Sequence, residues 1–208
     1  MTLRLNGSTS GYTEIDAPAV AGSNTLRFPG GNGSDGNILG TDGAGNLSWV
    51  NGRMVLATAQ NSTSGTSIDF TGIPSWVKRV TVMFNGVSTN GTSGVGLRVG
   101  AGSIVSSGYN GNVSFYNINS PTSSARTAFS TDFRMVGSTA SNTLRGVLQL
   151  LLLSGNTYVI TGIVDTEDYP CTYSGNITLS GTLDRIRITT VNGTDIFDAG
   201  SINILMEG

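Results

Sequence analysis

Histidine is absent from this 208-residue chain, and cysteine occurs once, at Cys171. Without an imidazole there is no Ser-His-Asp or Cys-His catalysis and no HExxH zinc chemistry, and a lone cysteine cannot build a cysteine-rich metal site. An intrachain disulfide is impossible, which excludes a disulfide-stapled secreted scaffold. Cys171 follows Pro170 and has nothing beside it in sequence to activate it, so it reads as a passive, partly buried thiol.

Charge is also scarce. Asp, Glu, Lys and Arg make up 12% of the chain, with a net charge of −2, against a usual ~25%. Solubility therefore rests on Ser, Thr, Asn and exposed backbone. Apart from Lys78-Arg79 and the alternating Arg185 and Arg187, the basic residues stand singly. Phosphate recognition concentrates Lys and Arg, and an alternating pair on a strand reads as a solvated face, so nucleic acid is not an expected partner. The opening MTLRLNGSTSG has no apolar signal-peptide core, and the longest apolar run, Leu150 to Leu153, is far too short to span a bilayer. The expectation is a product made in the cytosol and not addressed to a membrane.

What is present is turn chemistry interleaved with strand patterns. Gly and Pro number 30 and 5, below the ~25–30% that marks low complexity, and 38% hydrophobic residues leave enough for a core. The first 52 residues have few charges and sparse aliphatics. Short extended pieces (Thr2 to Leu5, Tyr12 to Ile15, Thr25 to Phe28) are separated by strings such as GSTSG and PGGNGSDGN. Pieces this short cannot bury a core unaided, so residues 1–52 are expected to be an attachment or stalk segment that gains order against copies of itself or a partner.

Residues 53–208 read as one strand-rich domain. Alternation is clearest at 77–85, with Val80, Val82 and Phe84 on one side and Arg79, Thr81 and Met83 on the other, and again at Val95, Leu97 and Val99. Further strands are expected at 53–60, 111–118, 128–136, 144–153, 157–164, 183–191 and 202–206. Asn-Gly pairs at 51, 85, 90, 110 and 192 favour tight hairpins. No helix cap precedes a long amphipathic stripe. The expected fold is all-β: an antiparallel β-sandwich of jelly-roll type preceded by the short extended segment.

The remaining motifs favour structure over chemistry. Gly31, Gly33 and Gly36 match GxGxxG, but NILGTDGAGN after them is too glycine-rich for the helix that dinucleotide binding needs. Asp35 and Asp42 each supply one carboxylate to a Gly-rich turn, short of a calcium loop. Asp165, Glu167 and Asp168 form the better metal candidate, yet no metal or cofactor is expected. Asp132 and those three acids are the candidates for paired-carboxylate glycoside hydrolysis, but nothing places two of them across a cleft. Tyr109, Tyr116, Tyr158, Tyr169 and Tyr173 stand in or beside expected loops. Such rings can stack on sugars or fill strand ends and subunit contacts; Tyr109, Tyr116, Tyr169 and Tyr173 are the candidate glycan contacts, within loops at 100–126 and 165–176.

Three stretches carry a resemblance. LRLNGSTSGYTEIDAPAVAGSNTLRFP followed by GNILGTDGAGNLSW resembles the shaft-like segments of tailed-bacteriophage fibre proteins, particularly of marine and cyanobacterial phages. DFTGIPSWVKRVTVMFNGVSTNGTS (69–93) and GTLDRIRITTVNGTDIFDAGSINILMEG (181–208) resemble the opening and close of the β head domain in similar fibres. Together they span about half of the chain, and residues 100–180 carry no resemblance. It implies a virion protein, a homotrimer joined to other virion proteins through residues 1–52 with its head outward; the missing histidine and the failed motifs add the expectation that it is not an enzyme. Some such proteins recognise host-surface polysaccharide; others decorate the capsid or baseplate. A glycan-degrading tailspike is the third alternative. In the closing motif, Phe197 is expected in the core and Gly193, Asp195, Asp198 and Gly200 at turns, as scaffold.

Overall fold

The structure, a computed structural model, describes residues 3–20, 22–34, 36–52, 54–116, 124–135, 139–166 and 170–208; the side chains of residues 51, 116 and 124–127 lie outside that description. The chain divides into two compact units, Met1–Gly52 and Arg53–Gly208. The described residues include no helix, and therefore none long and apolar enough to cross a membrane.

The first unit consists of two separate hairpins. β1 (Leu3–Asn6) pairs with β2 (Tyr12–Ile15), and β3 (Asn37–Thr41) with β4 (Leu47–Asn51), both antiparallel. Thr25 to Phe28, expected to be extended, contributes only an isolated bridge between Arg27 and Asn46.

The second unit holds β5 (Met54–Leu56), β6 (Gln60–Asn61), β7 (Ser67–Thr71), β8 (Arg79–Thr89), β9 (Val95–Ala101), β10 (Ser103–Ile104), β11 (Asn110–Tyr116), β12 (Ser124–Phe129), β13 (Phe133–Met135), β14 (Leu144–Ser154), β15 (Thr157–Asp165), β16 (Pro170–Thr178), β17 (Arg185–Thr190) and β18 (Phe197–Glu207). A large sheet runs β12-β11-β16-β15-β14-β8-β18, with β5 and β6 pairing successive parts of β18. A small sheet runs β10-β9-β17-β7, with β13 also on β9. All of these pairings are antiparallel.

The two sheets share one core, which makes the unit an all-β sandwich. Period-2 alternation sends Val80, Val82 and Phe84 of β8 and Leu148 and Leu150 of β14 inward from the large sheet. Leu97 and Val99 of β9, Phe133 and Met135 of β13, and Ile186 and Ile188 of β17 come from the small sheet into the same cluster. Each such side chain contributes about 1.5–3 kcal/mol on full burial. Phe133 organises one end of the core, meeting the rings of Tyr109 and Phe129 edge-on at centroid distances of 4.9 and 5.6 Å.

The structure revises three local expectations. Residues 128–136 are not one strand: the turn at Ser130 to Asp132 passes the chain from β12 in the large sheet to β13 in the small one. Asn85-Gly86 does not end β8 but lies inside it at a bulge, where the pairing with β14 steps from Asn85 to Val87. Asn110-Gly111 opens β11 and is paired to β16 on one side. The strand β16 was not anticipated, because its inward residues Cys171, Tyr173 and Ile177 are thinned by Gly175 and interleaved with Thr, Ser and Asn.

Candidate interaction surfaces

No described residue of the first unit is buried. Its apolar side chains are displayed: Val20 is 92% exposed, Phe28 67% and Leu26 63%. Order comes from local polar contacts. The Arg4 guanidinium sits 4.0 Å over the Tyr12 ring and bonds Glu14 across the first hairpin. In the second hairpin Asp42 accepts from Ala44 N at 2.8 Å, Asn46 N at 3.1 Å and Asn46 Nδ2 at 2.6 Å. The Asn46 amide foremost, then the backbone N–H of Ala44, hold that carboxyl below its ordinary range. Asp42 thus serves its own turn, while Asp35 lies outside the described residues. The GxGxxG stretch leads into β3, a strand, so the helix N-terminus of a dinucleotide site is missing.

The outer face of the small sheet is charged. Because Ile68, Phe70, Leu97, Val99, Phe133, Ile186 and Ile188 point inward, alternation turns Asp69, Arg98, Arg134, Arg185 and Arg187 outward. Arg187 grips Asp69 through Nε and Nη2 at 2.7 and 2.6 Å, and Arg185 grips Asp184 at 2.7 and 3.1 Å. Each arginine is pushed up first by its aspartate bond, and Asp184 is drawn down by Arg185. Asp132 is fully buried above Gly96, where an added Cβ would come within 2.9 Å of its carboxyl carbon. It accepts from Thr131 Oγ1 at 3.0 Å and Arg134 Nε at 3.3 Å, with Arg98 Nη2 at 3.6 Å. A carboxylate so enclosed by cations binds the β12–β13 turn to the sheet and is not presented to a sugar. Alternation at Arg98 was visible in sequence, but its partner Asp132 was not, because the turn that delivers it joins two sheets.

The closing motif joins two loops. Asp195 accepts from Ser93 N and Asn192 Nδ2, both at 2.8 Å; Asn192 Oδ1 accepts from Thr194 N and Asp195 N, both at 3.0 Å; Asn90 Oδ1 accepts from Ile196 N at 2.8 Å. The loop between β8 and β9 is thereby tied to that between β17 and β18, and the Asn192 and Ser93 donors hold Asp195 below the usual carboxylate range. Gly193 makes the turn, and Phe197 is fully buried. Asp198 and Gly200 depart from the turn reading: both lie within β18, Asp198 accepting the Ser88 hydroxyl and Gly200 sitting at a register shift.

The tyrosine reading needs correction. Tyr109, Tyr158 and Tyr173 are 2–3% exposed and cannot stack on a sugar. The Tyr109 hydroxyl accepts from Val99 N at 2.8 Å and donates to Val105 O at 3.0 Å, and burial pushes it up to about 12. Tyr173 lies on β16, not on a loop, and bonds Cys171, whose thiol burial pushes up against that bond. Tyr169, Glu167, Asp168 and the Tyr116 side chain lie outside the description. Among the described residues no three His, Cys, Asp or Glu side chains gather as a metal group. No protein-family model, curated protein or solved structure matches the chain.

Proposed function

We propose that this chain is a structural protein of a tailed-phage particle, a homotrimeric fibre or appendage held through residues 1–52 with the sandwich outward. The observation that carries the reading is the first unit: it forms two hairpins yet buries no described residue. Isolated hairpins are marginal in water, and exposed edges and apolar side chains invite pairing with identical copies around a symmetry axis. The sandwich supplies what a particle component needs, a stapled, densely packed body. Asp132, locked among arginines, and the lack of histidine support a role without catalysis.

Decoration without receptor binding fits better than glycan recognition, since the two described candidate rings, Tyr109 and Tyr173, are core residues. Light scattering of the full chain at micromolar concentration tests the assembly: the expected mass is three times 21.5 kDa, and a stable monomer overturns it. Immunogold labelling of the particles of the phage that encodes this chain tests the location, and particles left unlabelled overturn that.

A further inference from the structure

The two outer faces of the sandwich differ in kind. On the large sheet, β14 reads LRGVLQLLLLS, and its outer side carries Val147 and Leu151 beside Arg145 and Gln149, more apolar than a fully solvated face requires. Leu148 and Leu150 fill the core, while Val147 and Leu151 point the other way. Register extends them into rows: Met83, Val147 and Ile163 lie side by side across β8, β14 and β15, and Leu151 faces Val159. Leu56 of β5 sits beside Leu205 of β18 at the other side. Among the described residues of this unit, the exposed large apolar side chains Met54, Leu56, Val147, Leu153 and Ile163 lie on β5, β14 and β15, Ile196 alone lies elsewhere, and none is on the small sheet.

Size and charge identify the occupant. Five strands at ~4.8 Å and about eight residue steps at ~3.3 Å make a face of roughly 600 Å², of the order of the ~800 Å² each partner contributes to a stable interface. Its ends are bounded by opposite charges: Arg145 faces Asp165 across β14 and β15, and Arg79 bonds Glu207 across β8 and β18. The centre sets the uncharged polar row Thr81–Gln149–Thr161 between the apolar rows Met83–Val147–Ile163 and Leu151–Val159. An uncharged centre with charges of both signs at its ends suits packing against copies of the same face around a symmetry axis. On the small-sheet face arginines 98, 134, 185 and 187 are engaged with aspartates 69, 132 and 184, and among the described residues no large apolar side chain is exposed there.

We infer that the outer face of the large sheet, from β5 across β18, β8 and β14 to β15, is the surface on which copies of this chain pack against one another, with the charged small-sheet face turned to solvent. This rests on the self-assembly proposed above and adds the surface that performs it.

The test is a Val147→Lys, Ile163→Lys double variant of the full chain, followed by light scattering and circular dichroism. Both side chains leave the core untouched, so the β signal is expected unchanged while subunit affinity falls on the order of 100-fold, because packing would bury unpaired charges. Independently, Ile163→Cys is expected to resist maleimide in the assembly and Thr71→Cys, on the small-sheet face, to react freely; the buried Cys171 stays silent. A doubly charged variant that still assembles, or an Ile163→Cys that labels freely in the assembly, overturns the assignment of the face and leaves the multimer standing. A monomeric wild type overturns both.

Discussion

Gly200 of β18 lies against Gly86 of β8 so closely that a Cβ on Gly200 would overlap the Gly86 carbonyl oxygen. Both adopt left-handed backbone, at φ of 92° and 65°, where the β8–β18 register shifts. Gly200→Ala is expected to cost about 2–4 kcal/mol, from left-handed strain plus forced separation of two strands. Gly193→Ala, at φ 71° with open space around it, is expected to cost only about 1 kcal/mol. Equal urea midpoints for the two variants would refute the close-approach explanation.

Tyr109→Phe removes the hydroxyl that satisfies Val99 N and Val105 O inside the core, and a loss of about 1–3 kcal/mol is expected. Its titration adds a pH signature. The folded value of about 12 lies above the ordinary ~10 of a free tyrosine. The stability tied to the neutral hydroxyl is therefore intact below pH ~10 and lost as pH rises toward ~12. Denaturation between those values should show a shallower decline for the variant than for the wild type.

Asp195 acts in the opposite direction. Its folded value is depressed by Asn192 and Ser93, so the loop tie is present above the ordinary carboxylate range near ~3.9 and lost as pH falls through the lower folded value. Asp195→Asn is expected to narrow the difference between midpoints measured at pH 7 and pH 3. An unchanged difference would show that the carboxylate does not hold the two loops.

Cys171 is fully buried and its thiol is pushed up chiefly by burial. In native protein it should react with a thiol reagent only at the rate of global opening, and at once in denaturant. Fast native labelling would mean that β16 opens locally.

Alternation made the inward faces of β8 and β9 legible in advance, since Val80, Val82, Phe84, Val95, Leu97 and Val99 each follow period 2 and each is buried. Asn-Gly pairs were ambiguous because left-handed glycine serves a bulge as readily as a hairpin: Gly193 makes a turn, whereas Gly86 makes a bulge. The tyrosines misled for a related reason. A ring with a polar tip suits a wet loop or a core with a nearby backbone partner, and only the approach of Val99 and Val105 decides for Tyr109.

Composition and local pattern by themselves determined the all-β class, the absence of histidine and disulfide chemistry, and the poverty of apolar mass in the first 52 residues, because these depend on residue type and short-range spacing. Tertiary structure decided which strands share a sheet, that the chain crosses between sheets from β12 to β13, that Asp132 is enclosed by Arg98 and Arg134, and that one outer face is charged while the other displays most of the exposed apolar side chains. Those outcomes depend on long-range register, and one residue of slip on β14 would exchange Val147 with Leu148 and turn the core face into the outer one.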